Sequence, residues 1–156
     1  MSEQILRFLG TGSSFNVNKS NNSAYLIDKN HLLLIDCGCT IFDEIVKSEI
    51  LESITTVDIL ITYLHDDHVG SLSSLLHYIH FVKPLITKTK VYFMNNKLET
   101  LLSIMGTHEF EYEFVKIKPN VCFTIQGSTK EYKVLPVKVN HVDEISLRNN
   151  RKESFD

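Results

Sequence analysis

The 156-residue chain has no apolar run near the roughly 18 residues that would suggest a membrane-spanning helix. Its first ten residues lack a charged segment followed by an apolar one, so no secretory leader is expected. There is also no excess of positive charge. Sixteen Lys and Arg stand against nineteen Asp and Glu, a formal net charge of -3, which excludes an extended basic surface for sequence-independent nucleic-acid binding. Three cysteines are too few, and odd in number, for a disulfide framework. Cys37 and Cys39 read as small buried thiols and Cys122 stands alone, so a structural zinc cluster is not expected. Internal repeats and low-complexity segments are absent as well. A cytoplasmic protein of one domain, with no membrane contact, is the expectation from what is missing.

What is present is a run of alternating short elements. Ile5–Leu9 reads as a strand stopped by Gly10-Thr-Gly-Ser-Ser14, and Ser23–Ile27 and Leu32–Ile35 form a hairpin across Asp28-Lys-Asn-His31. Thr40 is placed to cap a helix through Lys47, with Asp43 and Glu44 in its first turn. Val57–Thr62 is the next strand. The apolar positions Val69, Leu72, Leu75, Leu76, Ile79 and Val82 recur at helical spacing, with His77 and His80 expected on the solvent side. Val91–Met94 reads as a strand and Lys97–Met105 as a helix ended by Gly106. Strands are expected at Phe110–Lys116, Val121–Ile125 and Lys133–Asn140. Sheet and helices must then pack as layers, in an α/β or α+β arrangement. Residues 143–156 are a polar tail with only scattered apolar positions.

The chemistry concentrates in Thr62-Tyr-Leu-His-Asp-Asp-His-Val-Gly70, between a buried strand and an amphipathic helix. His65, Asp66, Asp67 and His68 supply two imidazoles and two carboxylates, donors that suit zinc, manganese or iron. The plainer alternative is a set of solvated side chains at a helix start, where an Asp is stabilised without any metal.

This string resembles the T-H-x-H-x-D-H-x-G signature of the metallo-β-lactamase fold. Phe8-Leu-Gly-Thr-Gly-Ser13, Asn22-Ser-Ala-Tyr-Leu-Ile27 and Leu34-Ile-Asp-Cys-Gly38 precede it in the order found in that family. The opening and the Asp-Cys-Gly turn are similar to the branch of ribonuclease Z and cyclic-nucleotide phosphodiesterases. The resemblance implies an αββα-type fold, of which residues 1–142 are the N-terminal half of a β-sandwich flanked by helices. It implies a metal-dependent, phosphodiesterase-like hydrolase acting on a phosphodiester or nucleotide, with up to two ions, zinc or alternatively manganese or iron. His65 and the later His141 would serve the first ion, Asp67 and His68 the second, and Asp67 would orient the attacking water or accept its proton. Asp36 would orient a metal-bound histidine, or simply form a turn before Gly38.

Two departures argue against activity of this chain alone. Tyr63 stands where the signature has its first histidine, and a phenol is a poor neutral zinc ligand. The bridging carboxylate and final histidine of the family have no counterpart in the fifteen residues after His141. One ion, or none, is then the expectation for this chain. The rival readings are a catalytically silent domain that binds a nucleotide or a protein, and a homodimer or a second chain that supplies the missing ligands.

Overall fold

In a computed structural model, residues 5–139 are described. Both the proposed boundary after residue 142 and His141 lie outside them. The element order is β1 (Arg7–Gly10), β2 (Ser23–Asp28), β3 (His31–Ile35), α1 (Ile41–Lys47), β4 (Thr56–Leu60), α2 (Asp66–Val69), α3 (Leu72–Val82), β5 (Lys88–Phe93), α4 (Lys97–Ile104), β6 (Glu113–Lys116), β7 (Phe123–Gln126) and β8 (Glu131–Val134). The first six strands make one sheet in sequence order, antiparallel from β1 to β3 and parallel from β3 to β6, while β7 and β8 pair as a separate hairpin. No helix among the described residues is long and apolar enough to cross a membrane.

The alternation of side chains along each strand divides the core into two layers. Leu34, Ile59 and Val91 are in register on β3, β4 and β5 and are fully buried. They join Ile41 and Ile45 of α1, Leu72, Leu75, Leu76 and Ile79 of α3, and Leu98 and Leu102 of α4. The opposite face carries Leu33, Leu60 and Tyr92, which meet Ile125 of the β7–β8 hairpin. The α+β expectation is therefore met, with helices on one face and a hairpin on the other.

Polar groups fix that hairpin to the sheet. The Asp28 carboxylate, at the end of β2, accepts the Thr129 backbone N–H at 2.9 Å and its hydroxyl at 2.6 Å. Ser128 donates to Asn30 Oδ1 at 2.6 Å across the tight turn in which Lys29 takes a positive φ. Beneath the hairpin, Asp58 bridges His31 at 2.6 Å and the Tyr92 hydroxyl at 2.7 Å. Burial together with the Asp58 carboxylate pushes the Tyr92 phenol up, so it remains a neutral donor.

Local details differ from the sequence expectation for tertiary reasons. The helix expected to run unbroken through Val82 is interrupted at Gly70–Ser71, where Ser71 Oγ donates to the Gly38 carbonyl at 2.6 Å and accepts the Phe42 N–H at 3.1 Å. Thr40 sits at the N-cap of α1, but its hydroxyl accepts the Asn21 N–H at 2.8 Å instead of capping the helix. The strand expected from Phe110 begins only at Glu113, because a turn closed by the Glu111 N–H on the His108 carbonyl occupies the preceding residues. Cys39 and Cys122 are exposed, while Cys37 is buried. Replacing Asp28 by Ala leaves the Thr129 N–H without its acceptor. We expect a loss of about 1–3 kcal/mol in urea unfolding, with faster amide exchange confined to β7 and β8; a variant as stable as the parent would show that the strap is dispensable.

Candidate metal centre

The site is built where two loops run side by side at the ends of β3 and β4. After β3 the chain turns through Asp36, whose positive φ of 62° redirects the backbone. Cys37 N–H donates to the His68 carbonyl at 2.7 Å, Cys39 N–H to the Asp66 carbonyl at 3.1 Å, and Ser71 N–H to the Cys37 carbonyl at 3.1 Å. These bonds join the Asp36–Cys39 segment to α2 along its length. Gly38 permits the approach, since a Cβ there would lie 2.0 Å from the Asp67 carbonyl oxygen. Gly70 has the same role against Cys39, whose Sγ would be 2.3 Å from an added Cβ. Cys37 lines this seam as a structural thiol; burial raises its pKa to about 12.

Asp36 organises the polar side chains. Its Oδ1 accepts the Thr62 backbone N–H at 2.7 Å, and its Oδ2 accepts both the Thr62 hydroxyl at 2.6 Å and His68 Nδ1 at 2.9 Å. Asp36 thus both turns the chain before Gly38 and hydrogen-bonds the ring of His68. With Nδ1 donating to Asp36, His68 keeps Nε2 as its acceptor nitrogen, and Nε2 lies 3.5 Å from Asp67 Oδ2. The hydrogen bond to Asp36 raises the His68 pKa above its usual value; burial opposes this, and the charges of Asp36 and Asp67 add to the rise.

The other sequence-selected residues divide. Asp66 is exposed in the first turn of α2, where its Oδ1 accepts the Asp67 N–H at 3.0 Å. His65 is the exposed N-cap of α2 and lies edge-on to Tyr63, ring centroids 4.3 Å apart. Tyr63 also faces His68, at 6.1 Å. A cleft of about 180 Å³ lined by Asn16, Asn21, Cys39, Asp66 and Asp67 opens beside the pair. That is smaller than the roughly 300–1,000 Å³ that encloses a small-molecule ligand.

Ligand chemistry decides what this arrangement fits. Two donors held about 2.0–2.2 Å from one tetrahedral ion are separated by about 3.3–3.5 Å, and Asp67 Oδ2 and His68 Nε2 meet that spacing. Among the described residues, however, no three His, Cys, Asp or Glu side chains converge. The donors present fit part of the shell of one ion and do not fit a pair of ions. Sequence reasoning selected Asp67 and His68, while Thr62 went unselected; its signal was its place beside Tyr63 in the signature, at the end of the buried strand.

A mixed sheet that ends in this loop pair defines a metallo-β-lactamase fold protein, and solved structures agree. The chain is similar to the metallo-β-lactamase fold protein YhfI from Bacillus subtilis, with 17% identity and a TM-score of 0.59 over 76% of this chain and 48% of that one. It is also similar to human tRNase Z, short form, with 24% identity and a TM-score of 0.56 over 72% and 44%. A diphosphatase from the PhnP family gives 19%, 0.59, and 77% and 52%. The profile of the family described as Anti-Pycsar protein Apyc1 matches residues 4–145, and the chain belongs to that family. Curated relatives carrying the same name include one from Paenibacillus sp. (strain J14), 42% identical over 45% of this chain and 28% of its own length. One from Bacillus phage BSP38 is 43% identical over 49% and 30%. Each of these matched segments thus spans less than a third of the relative.

The His68–Asp36 contact has a pH signature. Because the folded pKa is raised, its contribution to stability is fully present below about pH 6.5 and is lost as pH rises through the folded value. We expect the His68 ring, followed by NMR, to titrate above an exposed histidine, and Asp36→Asn to lower its midpoint. The stability gap between parent and variant should narrow as pH rises through that range; an unchanged His68 midpoint would show that Asp36 does not hold the ring.

Proposed function

We propose that this chain supplies the Asp67/His68 half of a phosphodiester hydrolase centre, with a cyclic nucleotide as the substrate class. The observation that carries the reading is the Asp36 carboxylate, which joins Thr62 to His68 and leaves Nε2 beside Asp67. Membership of the Apyc1 family supports it, as does the resemblance of the opening and Asp-Cys-Gly segments to the ribonuclease Z and cyclic-nucleotide phosphodiesterase branch.

In this proposal His68 Nε2 and Asp67 Oδ2 hold one divalent ion, zinc or alternatively manganese or iron. The ion, when bound, polarises a phosphoryl oxygen and acidifies water. Asp36 keeps His68 in the tautomer that presents a lone pair at Nε2. Asp67 orients the attacking water and accepts its proton as the oxygen–phosphorus bond forms and the bond to the leaving ester oxygen breaks. Residues outside 5–139 or a second chain complete the ligand set and enclose the nucleotide, while His65 and His141 would belong to the other ion of the pair.

Tyr63 favours a second reading. Its ring packs on His65 where the signature has an imidazole, which suits a domain that binds a nucleotide without hydrolysing it.

Elemental analysis and hydrolysis of a bis-aryl phosphodiester and a cyclic nucleotide, with zinc or manganese added, separate the two. We expect an ion whose uptake is abolished by Asp67→Ala or His68→Ala and weakened about 10–100-fold by Asp36→Ala. Tyr63→His should add a further ion and raise turnover. Protein that takes up no such ion and remains inert overturns the hydrolase reading, and cyclic-nucleotide binding that persists in chelator supports the second.

A further inference from the structure

On the far side of α3 lies a polar cluster that plays no part in the Asp67/His68 centre. The Glu111 side chain, in the turn before β6, is fully buried. Its Oε1 accepts the His108 N–H at 2.8 Å, but its Oε2 is buried and accepts no hydrogen bond. A buried carboxylate oxygen without a partner is costly unless a cation meets it.

The basic group paired with Glu111 is His77 of α3, whose side chain is about one-third exposed. Its Nε2 hydrogen-bonds to the carbonyl oxygen of Gly106 at 3.3 Å and lies 3.5 Å from Glu111 Oε2, within ion-pair distance. A charge-assisted hydrogen bond between imidazolium and carboxylate would bring the first pair to about 2.7–2.9 Å, and one ring N–H cannot serve both oxygens. The 3.5 Å separation instead matches two ligands on one ion, and it equals that of His68 Nε2 and Asp67 Oδ2.

The third donor has its own reason to attract positive charge. Gly106 follows the C-terminus of α4, the negative end of the helix dipole, and its φ of +87° turns the chain there. Glu111 is already fixed through Oε1, as ligating carboxylates usually are. The turn is fixed too, by the Ser73 and Thr107 hydroxyls at 2.8 Å.

We propose that His77 Nε2, Glu111 Oε2 and the Gly106 carbonyl bind one divalent ion of the zinc or manganese class, with water completing its shell. The ion ties α3 to the turn between α4 and β6 and is independent of the Asp67/His68 centre. One imidazole with two oxygens suits such ions, and open water positions suit a partly exposed site.

The test is zinc titration of the full chain against a chromophoric chelator, in an Asp67→Ala/His68→Ala background that removes the other centre. One zinc ion per chain should still bind and raise the melting temperature. His77→Ala, at a partly exposed position, should weaken that binding at least tenfold and abolish the thermal shift while leaving the far-UV circular dichroism unchanged; Glu111→Gln should do the same to binding. In the otherwise unaltered chain, His77→Ala should lower the bound zinc by one ion without affecting the ion that depends on His68. No uptake by the background variant, or uptake indifferent to His77→Ala, overturns the proposal.

Discussion

The carboxylate of Asp36 is the constraint on which the rest of the centre depends. It is nearly buried, 5% exposed, and it faces the hydroxyl and the backbone N–H of Thr62 as well as the ring of His68. Burial of a charged oxygen pair is tolerable only because three donors meet it. Those donors come from the end of β4 and from α2, so satisfying the charge also sets the spacing of two segments that are 26 to 32 residues away in the chain. The backbone bonds between Cys37, Cys39 and α2 carry the same register onward. The imidazole is thereby aimed by the protein's own hydrogen bonds, before any ion is considered.

That arrangement needs the sheet beneath it. Parallel pairing of β3 with β4 brings Ile35 level with Leu60, so the residues that follow them, Asp36 and Ile61–Thr62, leave the sheet at the same height. The Asp36 N–H donates to the Leu60 carbonyl at 2.8 Å and extends the ladder by one bond. Crossover helices on one face and a hydrogen-bonded hairpin on the other bury both sides of these strands, which explains their nearly continuous apolar sequences. The loops that carry Asp36, Asp67 and His68 then lie at the carboxyl ends of parallel strands, where α/β sheets commonly bind ligands.

Much of this was legible in the sequence because it is periodic. The stripe from Leu72 to Ile79 and the runs Leu32–Ile35 and Val57–Leu60 announce buried elements through spacing alone. What could not be read is what depends on distant partners. The break at Gly70–Ser71 exists because Ser71 reaches Gly38 and Phe42. A helical wheel places His77 toward solvent, and its ring is indeed partly exposed, but the wheel has no knowledge of Glu111 arriving from the other end of the domain. Likewise the ligand string marks Asp67 and His68 as neighbours in sequence, whereas the residue that aims His68 lies 32 positions earlier.

Tyr63 stands between Thr62 and the His65–His68 run, beside the residues that hold this framework together. Asp36 is met by Thr62 and His68, and the Cys37–Cys39 segment is held by the backbone of Asp66, His68 and Ser71. The Tyr63 phenol ring packs edge-on against His65 and faces His68. Removing the Asp36 side chain would take the acceptor from the Thr62 N–H, the Thr62 hydroxyl and His68 Nδ1 together, so the geometry of both loops rests on that one carboxylate.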